Sequence, residues 1–403
     1  MQIEQAPTRR TTEDVVVIGG GVMGLFTAYH ASERTDRVVV LEQGRIGDPM
    51  TASFGRTRSY RSDYLDPGYA RLAREALSLW DEFETRTGSE VLIRCGCMNI
   101  AKRAVTPDLA TTYGYRSHRV LEDLGIPCAA LAGEALHERC PYLEADVGYI
   151  DLDGGVVNLP AVTAALLRVL AERGVSIVEG VTTRLAVRRG REIRVVTDVG
   201  EWASRSLVVT AGHGTNDVLA RLDGALLQVP LTRDRPIEAK YFTPPAGLRE
   251  QFASDFMPVI AYLDAGIYCH PLIDGLIDKV KIGYYHPPDL PRATTTIDSV
   301  MSFVEHCAPA LLDARIEAVD DVDGCDYDLV VDDEFVLGAV PGFPDAYVGV
   351  GWRGTGYKFA PWVGRVLADL AVERGTAYDV SRFNPARFTK GSLHAGPAVT
   401  ANA

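Results

Sequence analysis

Residues 14–43 read DVVVIGGGVMGLFTAYHASERTDRVVVLEQ: an apolar run, a glycine cluster, an amphipathic stretch and a second apolar run. This order dictates strand, tight turn, helix and parallel strand, the βαβ unit of a doubly wound α/β fold. Gly19, Gly21 and Gly24 have the GxGxxG spacing. The first glycine permits the turn, the second lets backbone approach a pyrophosphate, and the third allows close helix-on-strand packing. A diphosphate would then meet the N–H groups that open the helix. Glu42 ends the second strand, where a carboxylate can hold ribose hydroxyls.

At 403 residues and 47% hydrophobic content the chain exceeds one ordinary core, which points to two domains. A formal charge of −13 leaves no general basic field, so neither nucleic acid nor an anionic membrane is an expected partner. Its seven cysteines are scattered and odd in number, unlike a secreted disulfide framework, and a cytoplasmic location is expected. The Cys95/Cys97 pair lacks the second pair or histidines of a zinc site, and no metal is expected. Arg9 and Arg10 are followed by TTED rather than an apolar segment, and no peroxisomal Ser-Lys-Leu ends the sequence; a soluble, unrouted chain is the expectation.

Pro67 to Gly88 has apolar residues at helical spacing, and NLPAVTAALLRVLAERG (158–174) is a second helix capped by Asn158 and ended by Gly174. Between them, from about residue 91, the pattern suggests short strands and turns. Strands are expected near 175–211, in IYCHP, KVKIGYYH, FVLGAV and AYVGVG, with a helix near 296–307. GWRGTGYKFAPWVGRVLADLAVERG then supplies a second glycine loop feeding a final helix, which a simple N-terminal dinucleotide domain would not require.

The set GGGVMG, SFGRTRSYR, LDGGVVNLPA, KIGYYH, GCDYD and GWRGTGYKFAPWVG resembles the monomeric sarcosine oxidase family of flavin amine oxidases, which includes N-methyltryptophan and pipecolate oxidases. The likeness spans residues 14 to about 385. It implies a glutathione-reductase-like, Rossmann-type FAD-binding domain in several sequence pieces, plus a substrate domain built on a mixed β-sheet. The expected boundaries are 12–92, 150–222 and 325–388 for the first, and 93–149 and 223–324 for the second, with tails at 1–11 and 389–403. FAD would contact Gly19, Gly21, Met23, Gly24, Glu42, Ser53, Arg58, Gly354, Gly356 and Lys358, and be attached through its 8α-methyl group to the Cys325 thiol.

The resemblance also assigns the polar site residues. Arg58 lies near the flavin, Arg61 and Lys358 bind a substrate carboxylate, and Lys281 activates oxygen. Tyr268 matches an active-site tyrosine with a catalytic and substrate-binding role; Tyr285 stands where sarcosine oxidases commonly have histidine. Two further departures, SFGRTR for HHGDTR and the bulky Trp352 and Arg353, put sarcosine itself in doubt as substrate. The expected reaction is oxidation of the C–N bond of an amino or imino acid to an imine, with oxygen reduced to hydrogen peroxide, by a monomer. The competing readings are a dehydrogenase serving a protein or quinone acceptor, and a non-catalytic flavin-binding subunit.

Overall fold

The computed structural model describes residues 10–234, 238–284, 297–317 and 327–389. The chain divides into two compact units, residues 1–53, 166–234 and 327–403 in the first and 54–165 and 235–326 in the second. The helix Leu159–Glu172 contains one point where the chain passes between them.

In the first unit, strand Arg10–Ile18 pairs in parallel with Val38–Leu41 on one side and with Glu201–Val209 on the other. Ser176–Val178 extends the sheet beyond Val38–Leu41, and Ala346–Val350 adds in parallel to residues 207–209. Val15, Val16, Val17 and Val38–Leu41 are all buried, as strands covered on both faces must be. Helices Val22–Ala31 and Ala360–Glu373 pack against each other. A Cβ on Gly364 would lie 2.8 Å from Thr27 N, so the helices approach at a distance only glycine permits.

The second unit holds an eight-stranded mixed sheet. Its order is Arg315–Glu317, Glu238–Thr243, Val280–Tyr284, Ile267–His270, Val259–Tyr262, Cys97–Ala101, Val147–Asp151 and Cys128–Ala132. All neighbours are antiparallel except Val259–Tyr262 with Cys97–Ala101. Phe242, Phe252, Tyr262, Ile282 and Phe303 build its main core. A smaller antiparallel sheet joins Thr57–Tyr60, Gly155–Asn158 and Leu92–Ile93.

Three expectations need correction. Residues 54–92 and 150–165, expected with the nucleotide-binding domain, lie in the second compact unit, where Thr57–Tyr60 and Leu92–Ile93 both pair with Gly155–Asn158, and residues 223–234, expected with the substrate domain, lie in the first. The first strand begins at Arg10 within the expected tail, since its parallel partner Glu201–Val209 is long enough to pair Arg10 with Glu201. Tyr113–Asp123 is a helix in a stretch read as strands and turns. Its buried face is Tyr113, Gly114, Ser117, His118 and Leu121, too polar to register as an apolar stripe, and Thr112 caps it by accepting the Tyr115 N–H. The expected helix near 296–307 is found as Val300–Cys307, with a Ser299 capping box.

Candidate active site

The glycine turn of the first unit is built for close backbone approach. Gly19 has φ +107°, and a Cβ there would fall within 2.7 Å of the Thr210 carbonyl carbon. A Cβ on Gly24 would overlap the Gly19 carbonyl oxygen and lie 2.8 Å from Thr210 Oγ1. Helix Val22–Ala31 starts at Gly21 with no capping side chain from its own N-cap residue and no acid in its first turn. Ser53 Oγ accepts the Val22 N–H at 2.9 Å, which brings one expected cofactor residue to this turn. Glu42 accepts the Gly20 N–H at 2.6 Å and the Gly44 N–H at 2.7 Å, fixing its carboxylate at the end of the second strand. Small residues, a helix N-terminus and an oriented carboxylate fit a dinucleotide.

The second glycine loop belongs to the same unit. A Cβ on Gly356 would lie 3.2 Å from Met23 Cε, so the second loop meets the first turn of helix Val22–Ala31 at Met23. One on Gly354 would press on the Tyr327 ring at 3.0 Å. Lys358 is buried and donates to Thr355 O at 3.0 Å. Asp328 has no counterpart among the expected site residues. Its carboxylate accepts the N–H groups of Gly351 at 2.9 Å and Trp352 at 3.1 Å, fastening the loop to the strand Tyr327–Val330. Burial pushes this carboxyl up to about 6. Cys325 and Tyr285 lie outside the described residues.

The second unit gathers the other cations. Arg58 hydrogen-bonds its own backbone surroundings, donating to Thr57 O at 3.0 Å and Phe54 O at 2.8 Å. Lys281 is 2% exposed, an unusual fate for lysine, and its Nζ lies 5.5 Å from the Tyr268 ring centroid. Strand alternation explains the pairing: Tyr268 registers with Gly283, two residues beyond Lys281 on the same face, and only glycine leaves room for the ring there. His270, also buried, sits 2.7 Å from Thr57 Oγ1 and 2.8 Å from Ser59 Oγ, the two hydroxyls flanking Arg58.

Arg61 meets an acid that the motif does not announce. Its Nη1 donates to Asp63 Oδ1 at 2.6 Å, and its Cζ lies 4.7 Å from the Tyr64 ring centroid. Asn99 donates to the other Asp63 oxygen. Asp151 accepts the Ser62 N–H at 2.6 Å, and burial, reinforced by the Asp63 charge, pushes its carboxyl from 3.8 up to about 7. Folding therefore favours protonated Asp151. The associated stability is complete below the unfolded value near pH 4 and is lost as pH rises through about 7. Between pH 4 and pH 8, urea denaturation should show Asp151→Asn gaining on wild type by a few kcal/mol; a gap independent of pH contradicts the assignment.

The six described cysteines carry no disulfide. Burial pushes the Cys95 thiol up to about 11, in keeping with an inert core residue. Among the described residues no metal-binding cluster occurs, and no helix is long and apolar enough to cross a membrane.

Residues 14–370 match the FAD dependent oxidoreductase family, and the chain belongs to it. It is therefore a flavin-dependent enzyme, as the glycine turn and Glu42 suit. Among curated relatives it is similar to monomeric sarcosine oxidase of Streptomyces avermitilis, 30% identical over 96% of this chain and 99% of the relative. It is also similar to human peroxisomal sarcosine oxidase, 27% identical over 93% and 96%. L-proline dehydrogenase from P. horikoshii shares the fold, with a TM-score of 0.77 and 20% identity, over 94% of this chain and 98% of that one.

Proposed function

We propose that this enzyme oxidises the C–N bond of an amino or imino acid to an imine, which water hydrolyses, and passes the electrons to oxygen to give hydrogen peroxide. The observation that carries the reading is the buried Lys281 ammonium, held on a sheet strand beside the Tyr268 ring in a chain whose relatives are named sarcosine oxidases. Bound FAD supplies the two-electron acceptor chemistry. Gly19, Gly21, Met23, Gly24, Glu42, Ser53, Gly354 and Gly356 would hold it, with Arg58 contributing positive charge. Cys325 is the proposed covalent attachment point.

Arg61 and Lys358 are the proposed carboxylate-binding residues; a guanidinium fork and an ammonium match that anion. Tyr268 and Tyr285 are the proposed aromatic site residues. A neutral amine is needed for reaction, and selection of that form from solution suffices. The uncrosslinked described cysteines support a reducing, cytoplasmic setting, and the monomeric relative supports a monomer.

A screen of N-methyl, cyclic and primary amino acids with the purified holoenzyme should find substrates that consume oxygen and yield peroxide in equal amounts. Decarboxylated analogues of the best substrates should be about tenfold to hundredfold poorer in kcat/KM, the loss of a charge-assisted contact. Equal turnover of amines lacking the carboxylate would remove Arg61 and Lys358 from their roles.

A further inference from the structure

We propose that Asp63 is a specificity-determining residue: it holds Arg61 as an internal carboxylate, so that an anionic substrate group reaching this guanidinium must compete with it. The inference rests on the reading of Arg61 as a carboxylate-binding residue and adds what limits its affinity.

Arg61 Nη1 donates both to Asp63 Oδ1 at 2.6 Å and to Asp63 O at 2.5 Å, and lies 3.4 Å from the Tyr113 hydroxyl. That hydroxyl in turn donates to Asp63 O at 3.1 Å, while the Asn99 amide donates to Asp63 Oδ2. Asp63 is thus held by its main chain and by both carboxylate oxygens, and it cannot swing from Arg61 without breaking several bonds. Arg61 is 9% exposed and Asp63 3%, so solvent screens the pair little. A third charge approaching two opposite charges at contact meets mainly their sum, near zero, rather than a bare guanidinium. Removing the acid's charge takes a negative charge out of contact with a buried cation, which strengthens its attraction for an incoming carboxylate.

Asp63→Asn keeps the shape. Asn99 Oδ1 is buried with no hydrogen-bond partner, so a flip of the Asn99 amide lets the introduced NH2 donate to it while the introduced carbonyl still accepts from Arg61. With the holoenzyme, binding of acetate and benzoate is followed through the flavin absorbance, with acetamide and benzamide as uncharged counterparts. Asp63→Asn should tighten the two anions at least tenfold, leave the two amides unchanged, and lower KM for amino-acid substrates more than it alters kcat. A merely structural role for Asp63 predicts weaker anion binding. Unchanged or weaker anion binding, or equal tightening of the amides, overturns the proposal.

Arg61→Gln in the wild-type background separates the two readings. If it leaves anion binding unaltered, the carboxylate role of Arg61 fails and this inference with it. If it abolishes anion binding while Asp63→Asn does not tighten it, only the inference fails. Asp63→Ala is the second variant should Asp63→Asn not fold. If neither gives folded flavoprotein, Asp63 is structural and the proposal is overturned.

Discussion

Lys281→Met is expected to leave anaerobic flavin reduction by substrate within about tenfold of wild type while slowing reoxidation by air about a hundredfold or more. Methionine keeps the length and removes the charge. In the wild type Lys281 is buried on the strand Val280–Tyr284, its ammonium against an aromatic ring and away from bulk water. A fixed cation in such a medium interacts more strongly than in solvent and needs no reorganisation when negative charge appears beside it. Oxygen acquires such charge on accepting an electron; the substrate carbon, losing its hydrogen as hydride, does not. Stopped-flow absorbance follows the two half-reactions separately. Fast reoxidation in the variant would end the oxygen-activating role and favour the dehydrogenase reading.

Gly24→Ala is expected to yield protein that is flavin-free or binds FAD at least a hundredfold more weakly than wild type. The added Cβ would overlap the Gly19 carbonyl oxygen and crowd Thr210 Oγ1, and the first of these is backbone. Relief requires the helix Val22–Ala31 to move off the sheet, which displaces the N–H groups at its start. Overpacking of this kind costs on the order of 1–3 kcal/mol or more before any ligand contact is lost. Gly247→Ala is the control, since nothing lies within 4 Å of a Cβ there and it should retain full flavin content. Flavin content after gel filtration measures both; a Gly24→Ala protein with wild-type flavin would contradict the cradle.

The parts of the site legible in the sequence are those carried by contiguous segments. Gly19, Gly21 and Gly24 act through local backbone geometry, and their spacing states it directly. Gly354 and Gly356 were legible as a loop feeding a helix, although the meeting of Gly356 with Met23 depends on a fold that joins residues more than 300 positions apart. The Asp63 network was not legible. Asn99 comes from the buried strand Cys97–Ala101, Tyr113 from a helix with a largely polar buried face, and Asp151 from the end of strand Val147–Asp151. Each looks like an isolated polar residue until register sets them side by side. The signal was the SDY following Arg61: an acid two residues from a guanidinium expected in a dry site invites the question of which anion that guanidinium serves. His270 hides similarly, its two hydroxyl neighbours lying more than 200 residues earlier.

The central claim is that this flavoprotein removes electrons from a carboxylate-bearing amine and gives them to oxygen, and anaerobic titration of the holoenzyme tests it most directly. The best amino-acid substrate from the screen should bleach the flavin absorbance completely without air, and admission of air should restore it within seconds with one peroxide formed per flavin. An oxidised spectrum unchanged by every amino and imino acid tried, or a bleached one that air does not restore, would contradict the claim.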